Sequence, residues 1–197
     1  MKKVFFIAFS MLIAFAIHAK DPVILESGSL TELSNPDNNV SFKIDYSKVK
    51  VNNDGNEYTI DCYLEHRGPD FVADWKRDSS KAYSYIPARF NQKNKKGAHA
   101  LEMGGEKADI FGTIYLSDID FGNGAGSFNP FGGVKSGGCI ISGTLIFTDK
   151  NGDELAVLPF TEVKGIGHVS ETIRLGLSYF ELMNKLGDLI KKENKKK

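Results

Sequence analysis

Residues able to act as nucleophiles or metal ligands are few and widely spaced in this chain. Beyond the first nineteen residues there are three histidines and two cysteines: His66, His99, His168, Cys62 and Cys139. None of them stands at the His-x-x-x-His or Cys-x-x-Cys spacing that is typical of zinc sites, and no Gly-x-Ser-x-Gly elbow marks a serine hydrolase. We therefore predict no catalytic residue, no metal site and no cofactor.

The two cysteines fall in alternating patterns that predict strands. A thiol in a strand is more often buried by packing than used as a nucleophile. In an oxidising compartment a Cys62–Cys139 disulfide would close a loop of about 76 residues and stabilise the fold by roughly 4.5 kcal/mol. A disulfide and two buried free thiols are both open interpretations.

A glycine turn before the last helix is the best-placed candidate for a small ligand. Gly165, Gly167 and His168 follow a predicted strand and open a predicted helix, which is the setting of a dinucleotide-binding turn. The sequence offers no second strand and no acidic residue for a ribose, so a dinucleotide is not predicted. One interpretation is a small-ligand or hydrolase site, with Asp118 and Asp120 near His168. The other is a plain glycine turn that enters a helix.

The segment 122–138 is unusually rich in glycine. It has seven glycines in seventeen residues and two phenylalanines around Pro130. Exposed aromatic rings desolvate readily, and glycine lets the backbone adapt to a partner. We predict that Phe128, Asn129 and Phe131 contact a protein partner; the alternative is that both rings fold back onto the edge of the sheet.

The N-terminal residues predict export. Lys2 and Lys3 precede an apolar run over 4–17, and the small Ala19 precedes Lys20, as in a secretory signal peptide. The run of about 14 residues is shorter than the roughly 20 that a spanning helix needs. We therefore predict a periplasmic or secreted protein with no transmembrane span after cleavage.

Charge argues against a nucleic-acid partner. Residues 20–197 carry 23 basic and 25 acidic side chains, and without the basic tail 191–197 the counts are 18 and 24. A surface that binds nucleic acid needs an excess of lysine and arginine. The tail itself suits either a helix C-terminus or contact with an anionic membrane or acidic partner.

Hydrophobic periodicity predicts seven elements. Pro87 lacks the N–H that a helix interior needs, so the first helix is expected to stop or kink near Ile86. Asp70 and Ser170 are predicted N-caps of the two helices. Turn residues at 149–153 predict a hairpin between the last two strands. Strands are expected at about 41–51, 58–64, 108–121, 139–148 and 154–163, and helices at about 70–86 and 170–190.

The order β-β-α-β-β-β-α predicts an α+β fold. In such a fold two helices pack on one face of a mainly antiparallel sheet. The expected organisation is a signal peptide at 1–19, a flexible lead-in at 20–39, a single domain at 40–190 and a basic tail at 191–197.

The later part of the chain resembles known exported proteins. The residues 143–149, the turn Asn151-Gly152 and the glycines from 165 to 167 before the helix are similar to the end of the α+β domains of periplasmic outer-membrane assembly lipoproteins. The whole pattern resembles small exported bacterial proteins of unknown function. The resemblance implies a role in the envelope but assigns no functional residue, and the lipid-attachment cysteine of those lipoproteins is missing here.

The leading functional hypothesis is therefore a non-enzymatic binding or assembly module in a Gram-negative envelope. Its expected partner is an envelope protein or a second copy of the chain. The alternative hypotheses are the small-ligand or hydrolase site near His168 and a structural secreted domain that associates through a strand edge.

Overall fold

The computed structural model describes residues 21–53, 55–122, 127–129, 133–135 and 137–195, and it gives only the backbone at 53, 127–129 and 133–135. This described part contains ten strands and three α-helices. The strands are β1 Ser27–Gly28, β2 Asn39–Asp45, β3 Lys50–Asn53, β4 Asn56–Tyr58, β5 His99–Ala100, β6 Ile110–Asp120, β7 Ser127–Asn129, β8 Gly133–Lys135, β9 Ile140–Asp149 and β10 Glu154–Lys164.

The centre of the sheet is β6. It runs parallel to β2 and β3 and antiparallel to β9. The order from edge to edge is β1-β10-β9-β6-β2-β5, with β4 paired to β3, and β7 and β8 form a separate hairpin. The α+β class is confirmed. The expectation of a mainly antiparallel sheet is wrong, because the sheet is mixed and three of its strand pairs are parallel.

The parallel pairs arise from the long connection between β4 and β6. Two helices lie in that connection, and a helical crossover returns the chain so that the next strand enters in the same direction. The sequence pattern predicted only local pairing, such as the hairpin of β9 and β10. At the turn 149–153 the Oδ1 atom of Asp149 accepts the N–H groups of Asn151 at 2.8 Å and Asp153 at 2.9 Å, and the predicted antiparallel hairpin of β9 and β10 is confirmed.

Three α-helices are present rather than two: α1 Ile60–Arg67, α2 Pro69–Lys93 and α3 Glu171–Asn194. The strand expected at 58–64 is wrong after Tyr58. The Thr59 hydroxyl accepts the N–H of Cys62 at 3.3 Å and caps α1. Ile60 and Leu64 fit an alternating pattern, but they are also four residues apart, which places them on one face of a helix.

The long helix α2 continues through Pro87 to Lys93, so the expected stop near Ile86 is wrong. Ile86 and Phe90 are both buried, and the Phe90 ring lies 5.3 Å from that of Phe42 in the sheet. Burying two such side chains contributes roughly 3–6 kcal/mol, which outweighs the cost of about 3 kcal/mol for proline in a helix. The predicted N-cap is also wrong, because Pro69 begins the helix and Gly68 precedes it.

Helices α2 and α3 pack side by side in the same direction. Gly176 lies so close to Ala82 that a Cβ at Gly176 would be 2.9 Å from the Ala82 Cβ. Further along, Lys93 Nζ lies 2.7 Å from Asp188 Oδ1. Both positions advance together along the two helices, so the two N-termini share one end of the pair and the two C-termini share the other. Ser170 caps α3 as predicted, with its hydroxyl accepting the Ile173 N–H at 3.4 Å.

The described residues 21–38 before β2 belong to the folded domain, which corrects the expected flexible lead-in at 20–39. Val23, Leu30 and Leu33 are buried in the core, and β1 pairs with β10. Their apolar side chains are separated by polar turn residues, which hid them in the sequence. The expected tail at 191–197 is corrected too, because α3 continues to Asn194.

Candidate binding face

The two faces of the sheet differ in what covers them. On one face, cross-strand rows such as Ile114–Leu145–Leu158 are fully buried in the core beneath the helices. On the other face, the matching rows are partly exposed. We call this second side the open face. Its rows across β2, β6, β9 and β10 are Asp45–Tyr115–Thr144–Pro159 and Lys43–Thr113–Ile146–Val157.

The centre of the open face is apolar. Tyr115 is 41% exposed, and Ile146, Val157 and Pro159 are half-buried. Ile24 is 42% exposed and donates its N–H to the Pro159 carbonyl at 3.2 Å, so it extends the apolar area beyond β10. In a sheet that has one face in water, the outward positions are usually polar. An apolar centre on an outward face is typical of a surface that contacts another molecule.

A groove of about 620 Å³ crosses the open face. Tyr115 and Pro159 line it together with the charged side chains of Asp45, Lys48 and Asp118. The Ser47 hydroxyl and N–H bond to Asp45 and hold the pKa of its carboxyl below the ordinary value, so Asp45 is ionised at neutral pH. The groove thus joins an apolar floor to a charged margin.

Two β-bulges shape the groove. One lies in β6 between Leu116 and Asp118, and the other lies in β10 between Phe160 and Val163. In the second bulge Glu162 has a φ of 52°, and its N–H is donated to the Ser142 hydroxyl at 3.0 Å. Bulges of this kind bend a strand and re-aim its side chains, which curves the sheet around β9.

The residues predicted for a small-ligand site have different neighbours in the described part of the chain. Asp118 lines the groove of the open face. Asp120 accepts the Gly122 N–H at 2.7 Å. The Nδ1 atom of His168 instead accepts the N–H of Ser170 at 3.1 Å, just before α3.

The glycine turn before α3 has a packing role at its first position. Gly165 donates its N–H to the Cys139 carbonyl at 2.9 Å. A Cβ at Gly165 would lie 2.5 Å from the Ser178 backbone nitrogen, so only glycine fits there. Gly167 is partly exposed and lies beside His168 in the turn. Gly165 therefore fits the interpretation of a turn that enters a helix.

Both cysteines are free thiols, and neither lies within a strand as predicted, although Cys139 directly precedes β9. Cys62 is exposed on α1 rather than in a strand, because Thr59 starts a helix there. Cys139 is buried just before β9, and burial raises the pKa of its thiol to about 12. Of the two interpretations, free thiols are what this structure has, although Cys62 is not buried.

A largely buried cluster of charged side chains lies at the start of α3 and was not predicted from the sequence. The carboxylate of Glu171 accepts the Tyr63 hydroxyl at 2.6 Å and Arg67 Nη2 at 3.0 Å. Arg174 is 0% exposed, and its Nη1 donates to the His168 carbonyl at 3.2 Å. Burial and the bond to Glu171 raise the pKa of Tyr63. The only sequence signal was an arginine three residues after a glutamate in the first turn of an apolar helix.

One edge of the Arg174 guanidinium lacks hydrogen bonds. Within the described residues Nε and Nη2 have no hydrogen-bond partner, and Nη2 lies 3.7 Å from Glu171 Oε1. Nε and Nη2 form the side-on edge that binds a carboxylate with two parallel hydrogen bonds. A buried donor without a partner costs free energy, so an oxyanion that accepted hydrogen bonds from this edge would stabilise the folded protein.

The predicted partner-binding phenylalanines fall mostly outside the described residues. Phe128 and Asn129 belong to β7, of which only the backbone is described, and Phe128 pairs with Val134 in β8. Phe131 lies outside the described residues. Their contact with a partner stays a prediction.

The described residues offer neither a metal-binding cluster nor a membrane-spanning helix. They contain no group of three or more His, Cys, Asp and Glu side chains that could hold a metal ion. Among those same residues, no helix has the length and apolar character needed to cross a membrane.

Comparisons with known proteins give only distant structural similarity. No protein-family model matches the chain, and no curated protein matches it. The PelC dodecamer from Paraburkholderia phytofirmans is similar with a TM-score of 0.38 and 11% identity, over 83% of this chain and 95% of that one. A variant of the same dodecamer is similar with a TM-score of 0.38 and 12% identity, over 83% and 96%. Similarity at this level carries no argument about function or assembly.

Proposed function

We propose that this protein is an exported, non-enzymatic binding module of the Gram-negative envelope that holds a protein partner against its open face. The observation that carries this proposal is the apolar centre of the open face, formed by Tyr115, Ile146, Val157 and Pro159. These side chains lie where a solvated sheet usually carries polar residues.

The open face has the anatomy of a protein-binding surface. Its apolar centre is bordered by polar and charged side chains at Lys43, Asp45 and Lys48, and protein interfaces combine an apolar core with a polar rim. Tyr115 supplies a large aromatic surface with a hydroxyl, the kind of side chain that is enriched among residues dominating binding energy. A protein partner therefore suits this surface better than a small molecule, which needs a more enclosed cavity.

Export is the second part of the proposal and rests on the sequence. Lys2 and Lys3, the apolar run 4–17 and the small Ala19 fit a signal peptide. The resemblance to periplasmic domains of outer-membrane assembly lipoproteins supports the same compartment. A fusion of the full chain to alkaline phosphatase tests it, because that enzyme is active only after export. An inactive fusion would refute export, and with it a role in the envelope.

Site-specific photo-crosslinking in cells tests the open face. A photoreactive phenylalanine analogue replaces Tyr115 or Ile146 in separate variants, and a control variant carries it at Ile166, which is 74% exposed elsewhere. We expect both open-face positions to crosslink to the same envelope protein and the control position to give no such product. Equal products from all three positions, or none from the open face, would refute the proposal. A product of twice the mass of the chain would identify a second copy as the partner.

A small anionic ligand beside His168 is a second candidate function, and the unpaired edge of Arg174 favours it. The Nε and Nη2 donors match a carboxylate, and Arg174 also bonds to the His168 carbonyl. Thermal unfolding in sodium formate and in sodium chloride at equal ionic strength tests this candidate. We expect formate to raise the melting temperature of the natural chain and not that of Arg174→Met. The same shift in both proteins would exclude the site.

A further inference from the structure

The C-terminal ends of α2 and α3 enclose a cleft that is lined by lysines. The cleft has a volume of about 560 Å³ and five lysines in its lining: Lys93, Lys95, Lys96, Lys191 and Lys195. No carboxylate belongs to its lining among the described residues. We call it the lysine cleft.

Most of these lysines form no salt bridge with another described residue. Lys93 pairs with Asp188 at 2.7 Å. The other four are exposed, and in the part of the chain that the structure describes none of them forms a salt bridge. The lysine cleft therefore keeps an excess of positive charge that faces solvent.

The sequence concentrates charge in the same place. The segments 93–97 and 185–197 contain nine lysines and two carboxylates, which leaves 16 basic and 23 acidic residues for the rest of the chain. The whole chain is neutral, so this end is positive by seven charges and the remainder is negative by seven. Net charge alone hides this separation.

Helix dipoles explain only part of the lysine cleft. Each helix C-terminus carries about half a negative charge, which favours nearby lysines. Two helices end here, so their dipoles account for about one positive charge. Five lysines around one cleft exceed that need, and like charges held together repel one another. An external anion would relieve the repulsion.

We propose that the lysine cleft binds the surface of an anionic phospholipid membrane, with lipid phosphates seated among Lys95, Lys96, Lys191 and Lys195. Lysine is a compact point charge that binds phosphate, and clusters of four to eight basic residues on a helix are typical of contact with anionic lipids. Among the described residues the lining has no aromatic side chain on which a base could stack, which disfavours single-stranded nucleic acid. This proposal is independent of the open face.

Vesicle co-sedimentation tests the lysine cleft. The chain from Lys20 to Lys197 is used, because it contains every described core residue and omits the apolar run 4–17, which would bind lipid by itself. The vesicles contain phosphatidylglycerol and phosphatidylethanolamine, or only neutral phosphatidylcholine. We expect binding to the anionic vesicles alone and at least a tenfold loss of it in high salt, because salt screens exposed charges.

Two variants with the same net charge separate the cleft from overall charge. The cleft variant replaces Lys95, Lys96, Lys191 and Lys195 with glutamine, and the control variant replaces four exposed lysines elsewhere: Lys76, Lys81, Lys150 and Lys164. We expect the cleft variant to bind anionic vesicles at least tenfold more weakly and the control to change less than twofold.

Three outcomes would overturn the proposal. An equal loss in both variants would reduce binding to net charge. Binding to neutral vesicles would show that phosphate charge is not the determinant. Displacement of bound protein from vesicles by low millimolar inorganic phosphate, at constant ionic strength, would assign the lysine cleft to a soluble phosphate compound instead of a membrane.

Discussion

The two ends of the parallel pair α2 and α3 use their charges in opposite ways. At the N-terminal end, Glu171 and Arg174 are nearly or fully buried, and Glu171 bonds to Tyr63 and Arg67 of α1. At the C-terminal end, four of the five lysines of the cleft are exposed and form no salt bridge in the described chain. The charged side chains at the N-terminal end bond to neighbouring helices, whereas those at the C-terminal end face solvent.

This difference indicates which substitutions should affect stability and which should affect binding. When one partner of a buried ion pair is removed, the other charge stays buried without compensation. Such a substitution therefore destabilises the fold strongly. An exposed lysine stays hydrated in the folded state and contributes little to the free energy of unfolding. Variants at the N-terminal end should change unfolding, and variants at the C-terminal end should change ligand contact without changing unfolding.

The largest effect is expected for Glu171→Ala. Its loss leaves the Tyr63 hydroxyl and Arg67 without their shared acceptor and the buried Arg174 without its ion-pair partner, so we expect the free energy of unfolding to fall by about 3 kcal/mol. Urea unfolding measures it. The matched control is Glu181→Ala on the same helix, whose salt bridge to Lys185 is partly exposed and is worth less than about 1 kcal/mol. Equal effects of the two substitutions would remove the distinction between the two ends.

Alkaline pH should also lower the stability of the fold, through the buried thiol of Cys139. Burial raises the pKa of this thiol to about 12, whereas an unfolded cysteine has a pKa near 8.5. Between these values the unfolded state has released the proton and the folded state still holds it, so stability falls as pH rises. We expect a loss of about 2 kcal/mol from pH 8 to pH 10.

Two cysteine variants isolate that contribution. Cys139→Ala should flatten the loss of stability from pH 8 to pH 10, and Cys62→Ala should leave it unchanged, because Cys62 is exposed on α1. Chemical unfolding at several pH values measures both. If Cys62→Ala flattened the dependence instead, the assignment to the buried thiol would be wrong.

A smaller effect is expected for Arg174→Met. Methionine keeps the apolar stem and removes two donors that have no hydrogen-bond partner among the described residues, but it also removes the Nη1 bond to the His168 carbonyl and the ion pair with Glu171, so we expect a cost of about 1.5 kcal/mol. Urea unfolding beside Glu171→Ala measures the difference. A loss as large as that of Glu171→Ala would mean that Nε and Nη2 of Arg174 already have hydrogen-bond partners in the folded protein.

Local signals made part of the fold predictable from sequence. The turn at 149–153 and the cap at Ser170 each involve residues within five positions of one another, and both are confirmed. The helix α1 was missed because Ile60 and Leu64 fit both a strand and a helix. The parallel pairing of β2 with β6 joins segments about 70 residues apart, and no local pattern specifies such pairing.

The candidate surfaces were harder to predict than the elements. The strands that carry Tyr115, Ile146 and Val157 were expected, but their common outward face depends on the register across β6, β9 and β10. The Glu171 cluster joins α3 to α1 across more than 100 residues. The lysine cleft was visible in part as a basic tail, yet its second wall at 93–97 comes from the end of α2.

The smallest effect on folding is expected at the C-terminal end. Replacing Lys95, Lys96, Lys191 and Lys195 with glutamine should change the free energy of unfolding by less than about 0.5 kcal/mol, because exposed charges contribute little. Relief of repulsion among the lysines opposes the lost attraction to the two helix ends, which keeps the net change small. Thermal and urea unfolding at low salt measure it. A loss above about 2 kcal/mol would mean that these lysines hold the helices together, and the contrast between the two ends would fail.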